Sequence, residues 1–520
     1  MAQSSAVAYP RVTFNIVNSD QKVGLETNRA LLVLQKTAAG SAPVGLNTDI
    51  PRTSAELDAL FGPTSMGAFI AKAWRRVNPW TIMDAIVFAD AGSSTAAAAS
   101  ITFAGTATAA GSYLVSVASK SQHTFKVDVA VGDTAVVVAG KLAAQVALGG
   151  SMPFTTAQGI NPNDNKVTFT AGSKGTHANG WPIIIEGAVA GLTATLTAWT
   201  GGATDPSLTG IFDPIANMRH QHIVWPSTWV RTGLKTFLDA SKNVDNDIQE
   251  GRAFIWSSSD FATVLTEAQA MNSSEIVLMT NKSNNVATRW IGPHLPEAPD
   301  LLAANFCAAR ARRYEPQISI SDIVATNESK DQFGGMDKCS LPYFNTPLLG
   351  VDLPLNGTGY SAAEQRELEN AGVTVAGANR SFTGVVMGAV VTTWLDDVAG
   401  NPDDTWKYLE WRDTHGAIRE YLVLNCRKRF AQYRLTGGVA VANYAMATKQ
   451  MISGFILGLC VDLMDQALVQ KGQQSRQFIQ DNMVVDLDLN AREAAITLVV
   501  PMVSQLETML GTVKYTFSLT

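Results

Sequence analysis

Residues 30–34, Ala-Leu-Leu-Val-Leu, form an unbroken apolar run with the length and character of a strand buried on both faces. A second such run spans 82–89. Between them, Thr53 and Glu56 have capping-box spacing, and Phe69, Ile70, Ala73, Trp74 and Val77 recur at three and four, giving one apolar helix stripe that stops at Asn78-Pro79. Strand, helix and strand in that order predict a crossover with parallel pairing.

From residue 91 to 205 the pattern changes to Ala, Thr, Gly, Ser and Val, with ten charged residues and no arginine. Residues 113–117, 125–129 and 166–170 alternate as short strands between Gly and Asn turns, and 135–148 is the segment's one helix candidate. After Pro206 the α/β pattern resumes: a helix over 227–242, a strand over 253–256, a helix over 260–271 and a strand over 275–279. Residues 295–354 are proline-rich and carry one convincing helix, 299–314. A helix over 361–371 is terminated by Gly372 and followed by an apolar strand over 373–375. A strand over 385–394 and two long helices, 404–433 and 439–470, come next, with Gly437-Gly438 as the break. Three strand-like runs close the chain, at 483–489, 495–503 and 512–519.

Both chain ends carry strand patterns where frayed polar residues are the norm. Val7, Tyr9, Val12, Phe14 and Ile16 alternate at the start, interrupted by Pro10, and Thr512, Val513, Tyr515 and Phe517 lie near the end. Each reads as an extended arm that pairs with a partner rather than with its own core. The organisation expected is therefore an arm at 1–25, α/β core at 26–90, an inserted β-rich domain at 91–205, α/β and connector at 206–356, a C-terminal domain at 357–507 and an arm at 508–520. The fold class is α/β (α+β) and multidomain, since 520 residues exceed one hydrophobic core and suggest roughly three or four folding units.

Only 16% of residues are charged, below the roughly 25% of an average soluble chain, so partners are expected to cover much of the surface. A net charge of −6 offers no basic footprint for phosphates, which argues against a nucleic-acid partner. Cys307, Cys339, Cys426 and Cys460 are far apart, indicating neither a zinc site nor a disulfide framework. Residues 1–10 have no basic and apolar leader pattern, so the protein is expected to be made and kept inside a cell. The longest apolar stretch, 451–461, is about half the roughly 20 residues of a membrane span, and no membrane insertion is expected.

Candidate chemistry is sparse. No GxxxxGK[ST] run, GxSxG elbow or HExxH helix occurs, so no catalytic residue, cofactor or metal site is assigned. His220 and His222 would share one face of a strand, as metal ligands or as a polar edge before Trp225-Pro226. Asp486 and Asp488 alternate with Val485, Leu487 and Leu489, which reads as a solvated strand face more readily than a cation site. Arg427, Lys428 and Arg429, with Arg434, either answer the dipole at a helix C-terminus or contact an acidic partner, and Lys471 and Arg476 pose the same choice. Trp394, Trp406 and Trp411 read as core anchors.

The 91–205 segment, with Ile101-Thr102-Phe103-Ala104-Gly105-Thr106-Ala107-Thr108-Ala109-Ala110-Gly111 at its head and Lys174-Gly175-Thr176-His177-Ala178-Asn179-Gly180 near its end, resembles the inserted β-domain of Mu-like phage tail sheath proteins. Residues 29–34, Leu60-Phe61-Gly62 with Ser65-Met66, and Asn78-Pro79 are similar to the N-terminal part of that family. Leu368-Glu369-Asn370-Ala371-Gly372-Val373 and Gly511-Thr512-Val513-Lys514-Tyr515-Thr516-Phe517 look like its C-terminal domain.

The resemblance implies a mixed α/β sheath core and a subunit that polymerises helically around a tail tube. Its terminal strands would be donated to neighbouring copies, and the sheath would contract. The implied partners are further copies of the chain, the tube protein, and baseplate and tail terminator proteins, in a virion tail assembled in the host cytoplasm. Family analogy makes the helical region around Arg427, Lys428, Arg429, Lys471 and Arg476 the tube-facing or subunit-facing one. The rival reading is an α/β enzyme with an accessory β-domain; a surface adhesin would need an export signal.

Overall fold

The computed structural model describes residues 28–158, 164–216, 218–231, 233–241, 251–284, 290–293, 295–314, 341–354, 359–440, 445–490 and 493–503. These divide into two compact units. One holds the described residues up to 314 and 343–412, the other 341–342 and those from 413 onward. The chain passes from one to the other within the helix Leu409–Phe430.

In the first unit, β1 (Arg29–Gln35), β2 (Gly45–Asn47) and β3 (Ile82–Phe88) open a core sheet. β1 and β3 run parallel, Ala30 opposite Met83 and Leu34 opposite Val87, as the crossover pattern predicts. Thr53 and Glu56 form the reciprocal capping box of the helix Ser54–Phe61. The helix Met66–Val77 buries all five stripe residues and stops at Asn78, whose side chain accepts from the amides of Trp80 and Thr81.

Residues 98–200 supply β4 (Ala98–Gly105), β5 (Gly111–Val117), β6 (Ser119–Val129), β7 (Phe154–Gln158), β8 (Lys166–Ala171), β9 (Ile183–Glu186) and β10 (Leu192–Thr200), with the helix Ala135–Ala147. The core sheet resumes at β11 (His222–Val224), β12 (Arg252–Ser257) and β13 (Ile276–Thr280). After the short strands β14 (Ser283–Asn284) and β15 (Trp290–Pro293) it ends with β16 (Val373–Ala378) and β17 (Val385–Met387). Its order is β17-β16-β13-β12-β11-β1-β3-β2, parallel inside and antiparallel at both edges. The mixed α/β class is thus the class observed.

The inserted strands make two antiparallel sheets, β10-β4-β8-β7 and β14-β15-β9-β5-β6. The second takes β14 and β15 from later in the chain, Ile291 lying opposite Ile183. The apolar core between these sheets also takes Phe69 and Ala73 from the helix Met66–Val77, and Ala298 and Leu301 from the helix Pro299–Arg313 and its cap. Ser173 Oγ accepts from the Met66 amide (3.0 Å), so the insert caps a core helix. A Cβ at Gly172 would stand 2.0 Å from the Thr64 carbonyl oxygen. Gly172→Ala is therefore expected to lower stability by about 1–3 kcal/mol; an unchanged thermal melt would show that the contact gives way freely.

Several predicted elements are shorter. The helix expected over 227–242 is Leu234–Ser241, because Trp229 turns back to the Pro226 carbonyl and the Ser227 amide is held by Asp300. The strand expected over 385–394 ends at Met387. Beyond it the Val391 amide donates to Thr374 Oγ1 and the Thr393 amide to Ile276 O, so the chain crosses strand ends instead of extending the edge.

In the second unit the two long helices shorten to Leu409–Phe430 and Lys449–Asp465. Thr448 caps the latter by accepting from the Met451 amide, and β19 (Met446–Ala447), inside the helix predicted over 439–470, instead pairs with β18 (Arg434–Leu435). The helix Gln473–Asn482 has no counterpart in the pattern, since Ile479 is its one buried residue. A hairpin of β20 (Val484–Asp488) and β21 (Glu493–Thr497) follows, the second strand ending short of the predicted 495–503. No helix among the described residues is long and apolar enough to cross a membrane.

Candidate assembly and functional sites

Parallel sheets usually carry binding sites at the C-terminal ends of their strands. Here the ends of β1, β11 and β12 meet the segment of the insert between β8 and β9. Gln35 Nε2, at the end of β1, donates to Asp90 (2.6 Å) and to the Lys174 carbonyl (2.8 Å). Thr176 Oγ1 donates to Asp205 (2.7 Å) and accepts from Thr228 Oγ1 (2.8 Å). Trp256 Nε1 donates to Asn281 Oδ1 (2.9 Å), and Gly180 sits so close to Ser258 that a Cβ would lie 2.8 Å from its hydroxyl. The Gln35 and Thr228 contacts tie that segment to the core sheet.

At the opposite strand ends, ion pairs are buried. Asp84 accepts from Arg29 (2.7 and 2.9 Å), the Asp49 amide (2.9 Å) and His220 Nε2 (2.9 Å). Burial pushes its carboxyl up, but these hydrogen bonds outweigh it and hold the group below the ordinary carboxylate range. His222 Nδ1 accepts from Arg310 (2.6 Å), which leaves Nε2–H to donate to Asn28 Oδ1 (2.6 Å). Burial first, then the guanidiniums of Arg310, Arg219 and Arg252, hold this imidazole neutral. The HxH pair is thus spent on separate partners. Among the described residues no group of three His, Cys, Asp or Glu could hold a metal ion. Glu275 lies between Arg252 and Arg412, accepting from both and from Ser274 Oγ (2.8 Å).

The three tryptophans predicted as core anchors are only half-buried. Trp394 Nε1 donates to Asp403 (2.9 Å), Trp406 lies under the Arg412 guanidinium (5.3 Å), and Trp411 meets Tyr408 edge-on (4.8 Å). Among the described residues the fully buried indoles are those of Trp74, Trp181, Trp199, Trp225, Trp229 and Trp256.

In the second unit an apolar groove of about 440 Å³ runs between the helix end at Cys426 and Phe430, the β18–β19 pair at Leu435 and Ala447, Ile452, and the hairpin residues Leu489, Ala494 and Ile496. Register explains its floor: Val485 faces Ile496 and Leu487 faces Ala494. Among the described residues β20 and β21 pair only with each other. Sequence reasoning missed this groove; the strand-like runs at 483–489 and 495–503 were its only signal. Burial pushes the Cys426 thiol far above its ordinary range and that of Cys460 up to about 12, so both stay protonated.

The predicted cations are not gathered into one patch. Arg427, Lys428 and Arg429 fill the last turn of the helix Leu409–Phe430, where its dipole favours them. The Arg429 guanidinium covers the rings of Tyr433 (5.6 Å) and Phe455 (5.9 Å), and Lys428 is exposed. Lys471 pairs with Asp465 (2.7 Å) at the surface, and Arg476 is exposed on the helix Gln473–Asn482. Asp486 approaches Lys449 (3.8 Å) and Asp488 accepts from the Asn490 amide (2.8 Å); both are exposed, as a solvated strand face requires. The arm residues Val7, Tyr9, Val12, Phe14, Ile16, Thr512, Val513, Tyr515 and Phe517 lie outside the described residues.

No family model matches the chain. Over 492 residues it is 25% identical to the Mu-like prophage FluMu tail sheath protein of Haemophilus influenzae, covering 91% of each chain. Among solved structures it aligns with a sheath tail protein from Listeria innocua (TM-score 0.45, 12% identity, 93% of this chain and 94% of that one). It also aligns with one from Desulfitobacterium hafniense (TM-score 0.44, 10% identity, 95% and 100%). Along about nine-tenths of its length, then, this chain is similar to a Mu-like prophage tail sheath protein, the family that its N-terminal, inserted and C-terminal patterns resemble.

Proposed function

We propose that the chain is a structural subunit of a contractile tail sheath. Copies polymerise helically around a tail tube through donated terminal strands, and the assembly contracts to drive the tube through a bacterial envelope. The observation that carries this reading is the similarity to a sheath protein across 91% of both chains.

The second unit supports the strand-donation part. A two-stranded sheet is marginal by itself, and β20 and β21, which among the described residues pair only with each other beside an apolar groove, suit further strands. Residues 7–17 and 512–519 have the alternation to supply them. Such links pair backbone with backbone, so they depend little on side chains and can pivot without breaking. A head-to-tail contact that does not close into a ring propagates as a filament. Contraction is then a change between two packings of the same units with the strand links as hinges.

In this reading the tube protein, baseplate and tail terminator are the partners, Arg427, Lys428, Arg429, Lys471 and Arg476 are candidate tube or subunit contacts, and the location is a virion tail assembled in the host cytoplasm. The rival enzyme reading gains no support from the strand ends, where β1, β11 and β12 meet the insert. Electron microscopy of the purified full chain tests the proposal: striated helical tubes are expected, and monodisperse monomers at high concentration would overturn it.

A further inference from the structure

We infer that the seam between the inserted β-sheets and the core sheet is a proton-operated latch, shut while the carboxyls of Glu297 and Asp300 are neutral and loosened when they ionise. The device is independent of the sheath reading.

Both residues flank the start of the helix Pro299–Arg313 and reach across the seam in opposite directions. Towards the insert, Glu297 Oε1 accepts from the Ser121 amide (3.0 Å), while the Lys120 amide donates to the Pro296 carbonyl (2.9 Å). Towards the core sheet, Asp300 Oδ1 accepts from the Ser227 amide (2.7 Å), just past β11. Ala298 and Leu301, which lie between and beside them, belong to the insert's apolar core together with Phe69 and Ala73. A shift of this short segment therefore disturbs both sides at once. Each carboxyl also has a second oxygen, Glu297 Oε2 and Asp300 Oδ2, that is buried without a hydrogen-bond partner. An anion so placed loses hydration that the Ser119 and Ser121 groups at Glu297, and Ser227 at Asp300, replace only in part, which costs more than burying the neutral acid.

The charged groups around the seam do not remove that cost. Burial pushes the Glu297 carboxyl up to about 7, outweighing the hydrogen bonds from Ser119 and Ser121 and the field of Arg76 on the helix Met66–Val77. On the same helix, Lys72 is paired with Asp58 and Arg75 donates to the carbonyls of Ile50 and Thr81. Lys120, on β6, is paired with Glu186 (2.8 Å). Burial, and then Asp205, push Asp300 up to about 6, and Asp205 is itself held by Thr176. On the strands packed against this helix, His222 and Arg252 are engaged with Arg310 and Glu275.

Both folded values are raised above the ordinary 4.5 and 3.8. The stability these groups contribute is therefore complete below those ordinary values and is lost as pH rises through about 6 and 7. His123 and His177 act in the opposite sense. Burial holds them down to about 4, so their contribution is complete above 6.5 and is lost as pH falls. Comparison with charge-neutral variants separates the two effects.

The test is hydrogen exchange on the full chain from pH 5 to 8, corrected for the intrinsic pH dependence of exchange, with Glu297→Gln and Asp300→Asn alongside. In the wild type, opening of the peptides around Ser121 and Ser227 is expected to increase between about tenfold and a hundredfold over that range, while β1 serves as the internal control. Glu297→Gln keeps an acceptor for Ser121 but cannot ionise, and is expected to flatten the Ser121 response; Asp300→Asn should do so around Ser227. Equal pH responses in wild type and variants overturn the latch. Should a variant not fold, the wild-type profile decides: a flat response, or one shared by β1, overturns it.

Discussion

Removing residues 1–20, or 510–520, is expected to leave a folded subunit that no longer forms tubes. The described core begins at Arg29 in β1 and the last described residue is 503, so neither deletion touches a described core element. Each donated strand would contribute several backbone hydrogen bonds at about 1 kcal/mol net apiece. Losing about 4 kcal/mol per link raises the concentration needed for polymerisation on the order of a thousandfold. Circular dichroism of the truncated chain should match the full chain, while electron micrographs should show no tubes. Tubes of unchanged form from either truncation would rule out strand donation as the link, whatever became of the sheath reading itself.

Glu275→Ala is expected to cost about 3–5 kcal/mol, because it leaves two buried guanidiniums facing each other without their shared carboxylate. Arg252 is 3% exposed and Arg412 4%, so water cannot stand in for the missing anion. The site joins three segments at the N-terminal ends of β12 and β13, and its loss is expected to loosen the middle of the core sheet. Chemical denaturation followed by tryptophan fluorescence reads the effect, since Trp256 lies on β12 and is fully buried. Replacing all three side chains with apolar ones of similar volume should recover much of the loss, as burial of charge is what makes the single change costly. A loss below about 1 kcal/mol for Glu275→Ala would mean that the sheet does not depend on this triad.

The elements legible beforehand share a feature: their signal is local. β1 and β3 announce themselves as unbroken apolar runs, and Thr53 with Glu56 is a capping box whose bonds form within four residues. Gly372 ends the helix Ala362–Asn370 with φ +75°, a backbone setting that glycine adopts freely. Where the pattern overshot, a distant partner had intervened. Residues 227–233 have helical spacing, but Asp300, seventy-three positions away, holds the Ser227 amide. Residues 390–394 have strand character, but their amides go to Thr374 and Ile276. Trp394, Trp406 and Trp411 were read as core because indoles usually are, yet each is half-buried against a polar or charged neighbour.

By itself, then, the sequence determined the α/β character of the core and the alternating β segments between residues 91 and 205. Both are periodicities and compositions that a short stretch carries alone. Only the tertiary structure decided that β15 completes a sheet of the insert and that His220 and His222 go to Asp84, Asn28 and Arg310. It likewise decided that Glu297 and Asp300 lie buried along one seam, and that an apolar groove opens beside the β20–β21 hairpin. The physical reason is common to all four: they depend on which residues far apart in the chain come within a few ångströms, and a contact of that kind leaves no period in the sequence.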